Sequence, residues 1–319
     1  MHKVYNFKNN SRVCFFGDSI TAKGIWIRRI YDYYRNNLKI NIEMYNCGVP
    51  GDSSVNAMKH IDQTLFYYNP TDVVIFFGMN DVGYHLYGVE KPSADIIKAR
   101  RDGIDKCVGT IEKLSQLLVS KGINIIYCTP TPYDELNDSS TPCLAGTNGG
   151  LYEIRCRILE LADKFGGHVV DFYDGMYSIL KTMYKNGKSP ISADRIHPNA
   201  HSMEAMSQLF LKAQGFTLEV ADSEEKQLKA YSVPYDNWEE KRFALETQAK
   251  KIEFAKWCLF PEEDDFEKVA ENIKQFINIG HKPELMRYYN TYLEYYKDYD
   301  KDREALLNHT KSVCTGGRK

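Results

Sequence analysis

The chain has 319 residues, with 41 Lys+Arg against 43 Asp+Glu and a formal net charge of −2. Hydrophobic residues at 43% and charged residues at 26% exclude a disordered chain, a collagen-like repeat and a disulfide miniprotein. The near-neutral balance leaves no excess of Lys and Arg to neutralise phosphates, which argues against a nucleic-acid partner.

The first ten residues lack the apolar core of a signal peptide, and no apolar run approaches the length of a membrane span. Cys14, Cys47, Cys107, Cys128, Cys143, Cys156, Cys258 and Cys314 form no C-x-x-C pair, so a structural zinc site has no support. Their scatter suits reduced thiols, and a cytoplasmic location is the expectation.

In the front of the chain, short apolar runs alternate with longer amphipathic stretches. A first strand is expected over 13–16. It ends in Gly17-Asp18-Ser19-Ile20-Thr21, where a serine at a strand-to-helix turn can expose its hydroxyl. The bland alternative is that Asp18 or Ser19 only caps the next helix, expected over 25–37. A second strand over 42–47 leads into Asn46-Cys47-Gly48-Val49-Pro50-Gly51-Asp52-Ser53. Glycine allows close backbone approach there, so the Gly51 N–H can face a ligand oxygen; otherwise this is a plain turn with Asp52 capping a helix over 53–67. The third strand, 72–77, is followed by Gly78-Met79-Asn80-Asp81. Asn80 offers a neutral amide donor, or belongs to an Asn/Asp turn. His85 lies just beyond and is a weaker candidate for lining a pocket.

A helix over 94–121 precedes the fourth strand, 123–128. The next segment, 129–150, is long and polar, and is expected to frame a substrate pocket. A helix over 152–165, a fifth strand over 168–172 and a helix over 200–213 complete this part. The nearly all-apolar middle strands suit a parallel sheet buried on both faces. The β-α-β-α order implies right-handed crossovers and a three-layer α/β/α sandwich, with its site at the C-terminal ends of the strands. Before the last helix stands Ser192-Ala193-Asp194-Arg195-Ile196-His197-Pro198. A carboxylate three residues before a histidine can reach Nδ1 and leave Nε2 as a general base. His201, one helical turn on, reads as structural.

From residue 222 onward the composition changes, with 20 acidic and 17 basic residues and only three of the chain's 21 glycines. Domains are therefore expected at 1–221 and 222–319, the second an α-helical extension. Leu285, Tyr288, Tyr289, Tyr292, Tyr296 and Tyr299 follow helical spacing. Packing on the rest of the chain is the simpler use of that stripe; a homo-oligomer through these helices or a sugar-binding aromatic surface are the alternatives.

Each motif is weak alone. In this order and at these strand ends they resemble the SGNH (GDSL-type) hydrolase family, whose four letters match Ser19, Gly51, Asn80 and His197. The first motif reads Gly-Asp-Ser-Ile-Thr where the family has Gly-Asp-Ser-Leu. The resemblance covers roughly residues 12–213. It implies a mainly parallel, five-stranded, flavodoxin-like sheet and serine esterase chemistry: Ser19 as nucleophile, His197 as base, Asp194 orienting it, and Ser19 N–H, Gly51 N–H and the Asn80 side chain as an oxyanion hole. Asp18, Asp52 and Asp81 read as caps and loop braces. No cofactor or metal motif is present. The polar 129–150 segment favours small acyl groups, acetyl on a carbohydrate first. Lysophospholipase, thioesterase or acyltransferase chemistry at the same site are alternatives, as is a non-enzymatic binding module with a helical tail.

Overall fold

The protein is described by a computed structural model over residues 4–136, 141–185, 192 and 194–216. All of these fall in the first of the chain's two units, Met1–Val233. The expected extension at 222–319, with its tyrosine stripe, lies outside the described residues.

Among the described residues, five strands and eight α-helices occur in the order β1 Ser11–Gly17, α1 Ser19–Ala22, α2 Ile25–Asp32, β2 Ile42–Gly48, α3 Ser54–Ala57, α4 Ile61–Thr64, β3 Asp72–Phe76, α5 Ala94–Ser120, β4 Asn124–Cys128, α6 Thr147–Phe165, β5 His168–Val170, α7 Phe172–Lys185 and α8 Ala200–Ala213. The sheet order is β2-β1-β3-β4-β5, and every pairing is parallel. This is the flavodoxin-like doubly wound order. Helix α8 packs with α2 and α7, and α5 packs with α3 and α6, giving the two outer layers. Strand β3 is buried throughout, which is why its sequence after Asp72 is apolar without alternation. Among the described residues no helix is long and apolar enough to cross a membrane.

The core beneath the first layer centres on Trp26, which is 0% exposed. Its ring is met by Phe15, Phe76 and Phe172 at near-perpendicular angles, with centroids 5.3, 5.7 and 5.5 Å away, the favourable geometry for aromatic quadrupoles. The indole Nε1–H donates to the Ile20 carbonyl at 3.3 Å. One side chain thus fills the core and holds α1 to it.

Chain connectivity leaves β1 with β2 on one side and β3 on the other. The connections part there, and sheets of this order place their sites at the C-terminal ends of the strands flanking that point. In register, Gly17 stands beside Gly48 of β2 and Phe76 of β3. The segments after these three strands therefore converge.

Helix α6 begins at Thr147, earlier than expected and inside the segment expected as a loop, and two further helices differ more. The stretch 53–67 is not one helix. It breaks into α3, a tight turn Met58–His60, α4 and a second tight turn Phe66–Tyr68. At the first break, His60 sits at φ −129° and ψ 23° and turns its ring toward Asp52, a contact a continuous helix would not make. Helix α7 is not expected from the sequence, where Gly175 and the mixed tyrosines weaken the signal. It forms because Phe172, Met176 and Leu180, one turn apart, are all buried. Strand β5 correspondingly stops at Val170, and Asp171 is taken by hydrogen bonds from Thr129 Oγ1 and the Arg155 guanidinium.

Candidate active site

Ser19 is the first residue of α1. Asp18 before it is extended and caps the helix, its Oδ1 accepting the Ile20 N–H at 2.9 Å. Gly17 is required by close approach: a Cβ there would lie 2.1 Å from Thr21 Oγ1 and 2.5 Å from the Phe76 carbonyl. These close contacts and the Asp18 cap fix the direction of Ser19.

Burial raises the Asp18 carboxyl to about 7; the Ile20 N–H opposes this and the charge of Asp81 adds to it. The unfolded chain ionises this group near pH ~4. Between the two values the folded chain holds a proton that the unfolded chain has lost, so this contribution to stability falls as pH rises. Asparagine keeps the capping acceptor and cannot ionise. Asp18→Asn is expected to leave Tm at pH 8 equal to or above that of the wild type and to flatten the Tm–pH curve between pH 4 and 7. A lower Tm at pH 8 would show that the ionised carboxylate is needed.

The second element of the site is the short loop closed by the antiparallel bridge between Ser192 and Pro198. Asp194 organises it. Its Oδ1 accepts Ser192 Oγ–H at 3.1 Å, Ile196 N–H at 3.0 Å and His197 N–H at 2.7 Å. Its Oδ2 lies 2.6 Å from His197 Nδ1. Partial burial works against the ionised carboxylate, but the bonds from the His197 ring and backbone outweigh it and hold Asp194 well below the usual carboxylate range. A carboxylate at Nδ1 sets the tautomer with Nδ1 protonated. Nε2 is then an acceptor, and it lies 2.7 Å from Ser19 Oγ across 178 residues of sequence. Between Asp194 and His197, Arg195 takes a left-handed φ of 69°, a conformation that costs a residue with a Cβ about 1–2 kcal/mol.

The third element is a pair of turns laced together in both directions. Gly51 carries the first at φ 81°, where a side chain would be strained. This turn is held to the end of β1 by Val49 N–H donating to the Gly17 carbonyl at 3.0 Å. Asn80 Nδ2 donates to the Asp52 carbonyl at 2.8 Å. In return, Ser54 N–H and Oγ–H donate to Asp81 Oδ1 at 2.8 and 2.6 Å. An amide NH₂ has two hydrogens, so the Asp52 bond orients Asn80 and leaves one to offer. Among the described residues, neither the Ser19 N–H nor the Gly51 N–H donates to a protein acceptor. Ser53, rather than Asp52, caps α3. Asp52 instead meets His60, with Oδ2 to Nε2 at 2.8 Å, both side chains almost fully buried. His60 and Arg195 carry the site's geometry but have no sequence signal: eight residues separate Asp52 from His60, and nothing marks Arg195 as left-handed. His85 is exposed, and the His201 side chain lies outside the described residues. Among the described residues no group of three or more His, Cys, Asp and Glu side chains is placed to hold a metal.

If the Asn80 amide faces charge that appears only in the transition state, Asn80→Ala is expected to lower kcat by about 10²–10³-fold with KM little changed. Steady-state kinetics on a small ester decide this. A rise in KM alone would make Asn80 a ground-state binding residue.

Residues 15–205 match the GDSL-like lipase/acylhydrolase family. No curated protein matches the chain. Among solved structures it is similar to a gut microbial diltiazem-metabolizing enzyme, at 17% identity and a TM-score of 0.66 over 98% of this chain and 97% of that one. It is also similar to Axe2, an acetylxylan esterase from Geobacillus stearothermophilus, at 19% identity and a TM-score of 0.55 over 67% of this chain and 98% of that one. At these identities the likeness shows the shared fold. The family match runs from β1 into α8 and takes in all four motifs; the chain belongs to the GDSL-like lipase/acylhydrolase family and is a serine ester hydrolase.

Proposed function

We propose that the protein hydrolyses esters of small acyl groups, acetyl foremost, carried on a carbohydrate, through an acyl-enzyme on Ser19. The observation that carries this reading is the continuous chain Asp194–His197–Ser19, with contacts of 2.6 and 2.7 Å. In the first half-reaction, Ser19 Oγ adds to the acyl carbon while its proton passes to His197 Nε2. A serine hydroxyl is a weak nucleophile until a base takes that proton. The imidazolium that results is stabilised by the Asp194 carboxylate at Nδ1. The oxyanion is received by Ser19 N–H, Gly51 N–H and the remaining hydrogen of the Asn80 amide, fixed donors that need no reorganisation. Collapse of the intermediate returns the proton from Nε2 to the leaving alcohol. Water then repeats the sequence on the acyl-enzyme.

Support for a small acyl group comes from the segment after β4. Its described part is bonded to itself rather than splayed around an apolar groove. Tyr133 N–H donates to Asn148 Oδ1 at 2.9 Å, Asn148 Nδ2 donates to the Tyr133 carbonyl at 2.8 Å, and Glu135 Oε1 accepts the N–H groups of Gly146 and Asn148. The similarity to an acetylxylan esterase points to the same acyl class. A p-nitrophenyl ester series from acetate to decanoate is the test, run beside acetylated xylooligosaccharides. The expected kcat/KM is highest for acetate and falls with chain length. A maximum at octanoate or longer overturns the acetyl reading in favour of a lipid or thioester acylhydrolase. Accumulation of a transferred ester when an acceptor alcohol is added identifies an acyltransferase.

A further inference from the structure

We propose that Arg195 is a positioning residue, which fastens the loop carrying Asp194 and His197 to the segment between β4 and α6 and thereby sets the alignment of His197 with Ser19; this rests on the Ser19–His197 reading of the site. The hydrogen bonds that Asp194 makes with Ser192, Ile196 and His197 stay within its own loop. Those of Arg195 leave it. Its Nε–H donates to the Thr141 carbonyl at 2.8 Å and its Nη1–H to the Asp134 carbonyl at 3.0 Å. Its own carbonyl accepts the Asp134 N–H at 2.8 Å. Hydrogen bonds therefore run both ways between a residue adjoining Asp194 and a segment that starts at the end of a core strand. Arg195 is 5% exposed and Asp134 is 0% exposed, so the bond to the Asp134 carbonyl is buried, and a guanidinium left there without acceptors would be costly; the bond to the Thr141 carbonyl reaches toward the surface, since Thr141 is exposed.

The backbone gives an independent reason to assign the side chain a task. At φ 69° the ordinary occupants are glycine, asparagine or aspartate. An arginine holds this conformation only where its surroundings over-determine it. Here they do so by three hydrogen bonds to one neighbouring segment, which is itself braced through Tyr133, Glu135 and Asn148. His197 lies two residues further on. A loop free to drift at Arg195 would move Nε2 relative to Ser19 Oγ, and misplacement of a catalytic group by about 1 Å costs on the order of 10²-fold in rate.

Arg195→Gly separates the two roles of this residue. It accepts the left-handed backbone without strain and removes only the side-chain bonds. The expected result is a kcat for p-nitrophenyl acetate lower by about ten- to hundredfold with KM close to the wild type, and labelling by a fluorophosphonate slowed to the same degree. Arg195→Lys, which keeps one donor, is expected to recover part of kcat. A kcat for Arg195→Gly within about twofold of the wild type, whatever happens to Tm, overturns the proposal. If the glycine variant does not fold, Arg195→Lys is read alone, and an unchanged kcat overturns the proposal equally. If neither folds, the side chain is an anchor of the fold and the proposal falls. Wild type and Ser19→Ala are assayed in parallel. Equal activity in those two overturns the Ser19 reading and this proposal with it, whereas a normal difference beside an unaffected Arg195→Gly overturns this proposal alone.

Discussion

Ser19→Ala is expected to lower kcat for p-nitrophenyl acetate by about 10⁴-fold or more, with Tm close to that of the wild type. The size of the effect comes from the arrangement at Ser19 Oγ. In the proposed mechanism no acyl-enzyme forms without that oxygen, and His197 Nε2, 2.7 Å away in the wild type, has no proton to take. Only the polarisation of the bound ester by the oxyanion donors survives, and in serine hydrolases that residue of catalysis is about 10³–10⁴-fold over water. Stability is spared because the position loses a single polar atom and gains none. The cap on α1 is made by Asp18, and the hold on α1 by Trp26, so neither depends on the serine side chain. A fluorophosphonate should label the wild type and not the variant. Undiminished labelling of Ser19→Ala would place the nucleophile elsewhere, and an inactive variant with a Tm lower by many degrees would make Ser19 structural.

The sequence discloses the scaffold of this site better than its bracing, and the difference is physical. The central strands are legible because burial on both faces imposes runs of apolar residues: Asp72–Phe76, with no exposed position, is the clearest. The four motifs are legible because strand ends need turn residues and the chemistry needs Ser, Asn, Asp and His. The pairing of Asp194 with His197 is readable from a spacing of three residues on one loop. By contrast, the contact of Asp52 with His60 needs a helix to break, and the break is decided by that tertiary contact rather than by the propensities of residues 53–67. Asn80 reads in sequence as a free donor. In the structure one of its amide hydrogens is committed to the Asp52 carbonyl, a backbone acceptor that no residue pattern encodes. Arg195 is the extreme case, since a left-handed arginine breaks the local rule that a turn there should carry glycine, asparagine or aspartate. Such departures concentrate where tertiary structure over-determines the backbone.

His197→Ala is expected to be as damaging as Ser19→Ala, because in the proposed mechanism the two groups share one proton transfer. The double variant gives this a quantitative form. If each group acted independently, it would lose the product of the two factors. If they act as a unit, Ser19→Ala/His197→Ala loses no more than either single change, since removing one partner already leaves the other without a task. Asp194→Ala is expected to be milder than His197→Ala, with a loss of about 10²–10⁴-fold, because imidazole remains a base without its carboxylate. The structure divides that loss into two parts. Oδ2 meets the ring at Nδ1, while Oδ1 holds Ser192, Ile196 and the His197 backbone. Asp194→Asn can keep the Oδ1 bonds and so retain the loop, but it puts an NH₂ group against Nδ1. The ring then turns its lone pair to that amide and presents Nε2–H to Ser19, the wrong tautomer for a base. The asparagine variant is therefore expected to keep a near-wild-type Tm with a kcat loss at least as large as that of the alanine variant. Parallel measurement of kcat and Tm for the two decides the point. If Asp194→Asn retains most of the activity, Asp194 acts by building the loop rather than by orienting the imidazole, and the base at His197 works without a carboxylate at Nδ1.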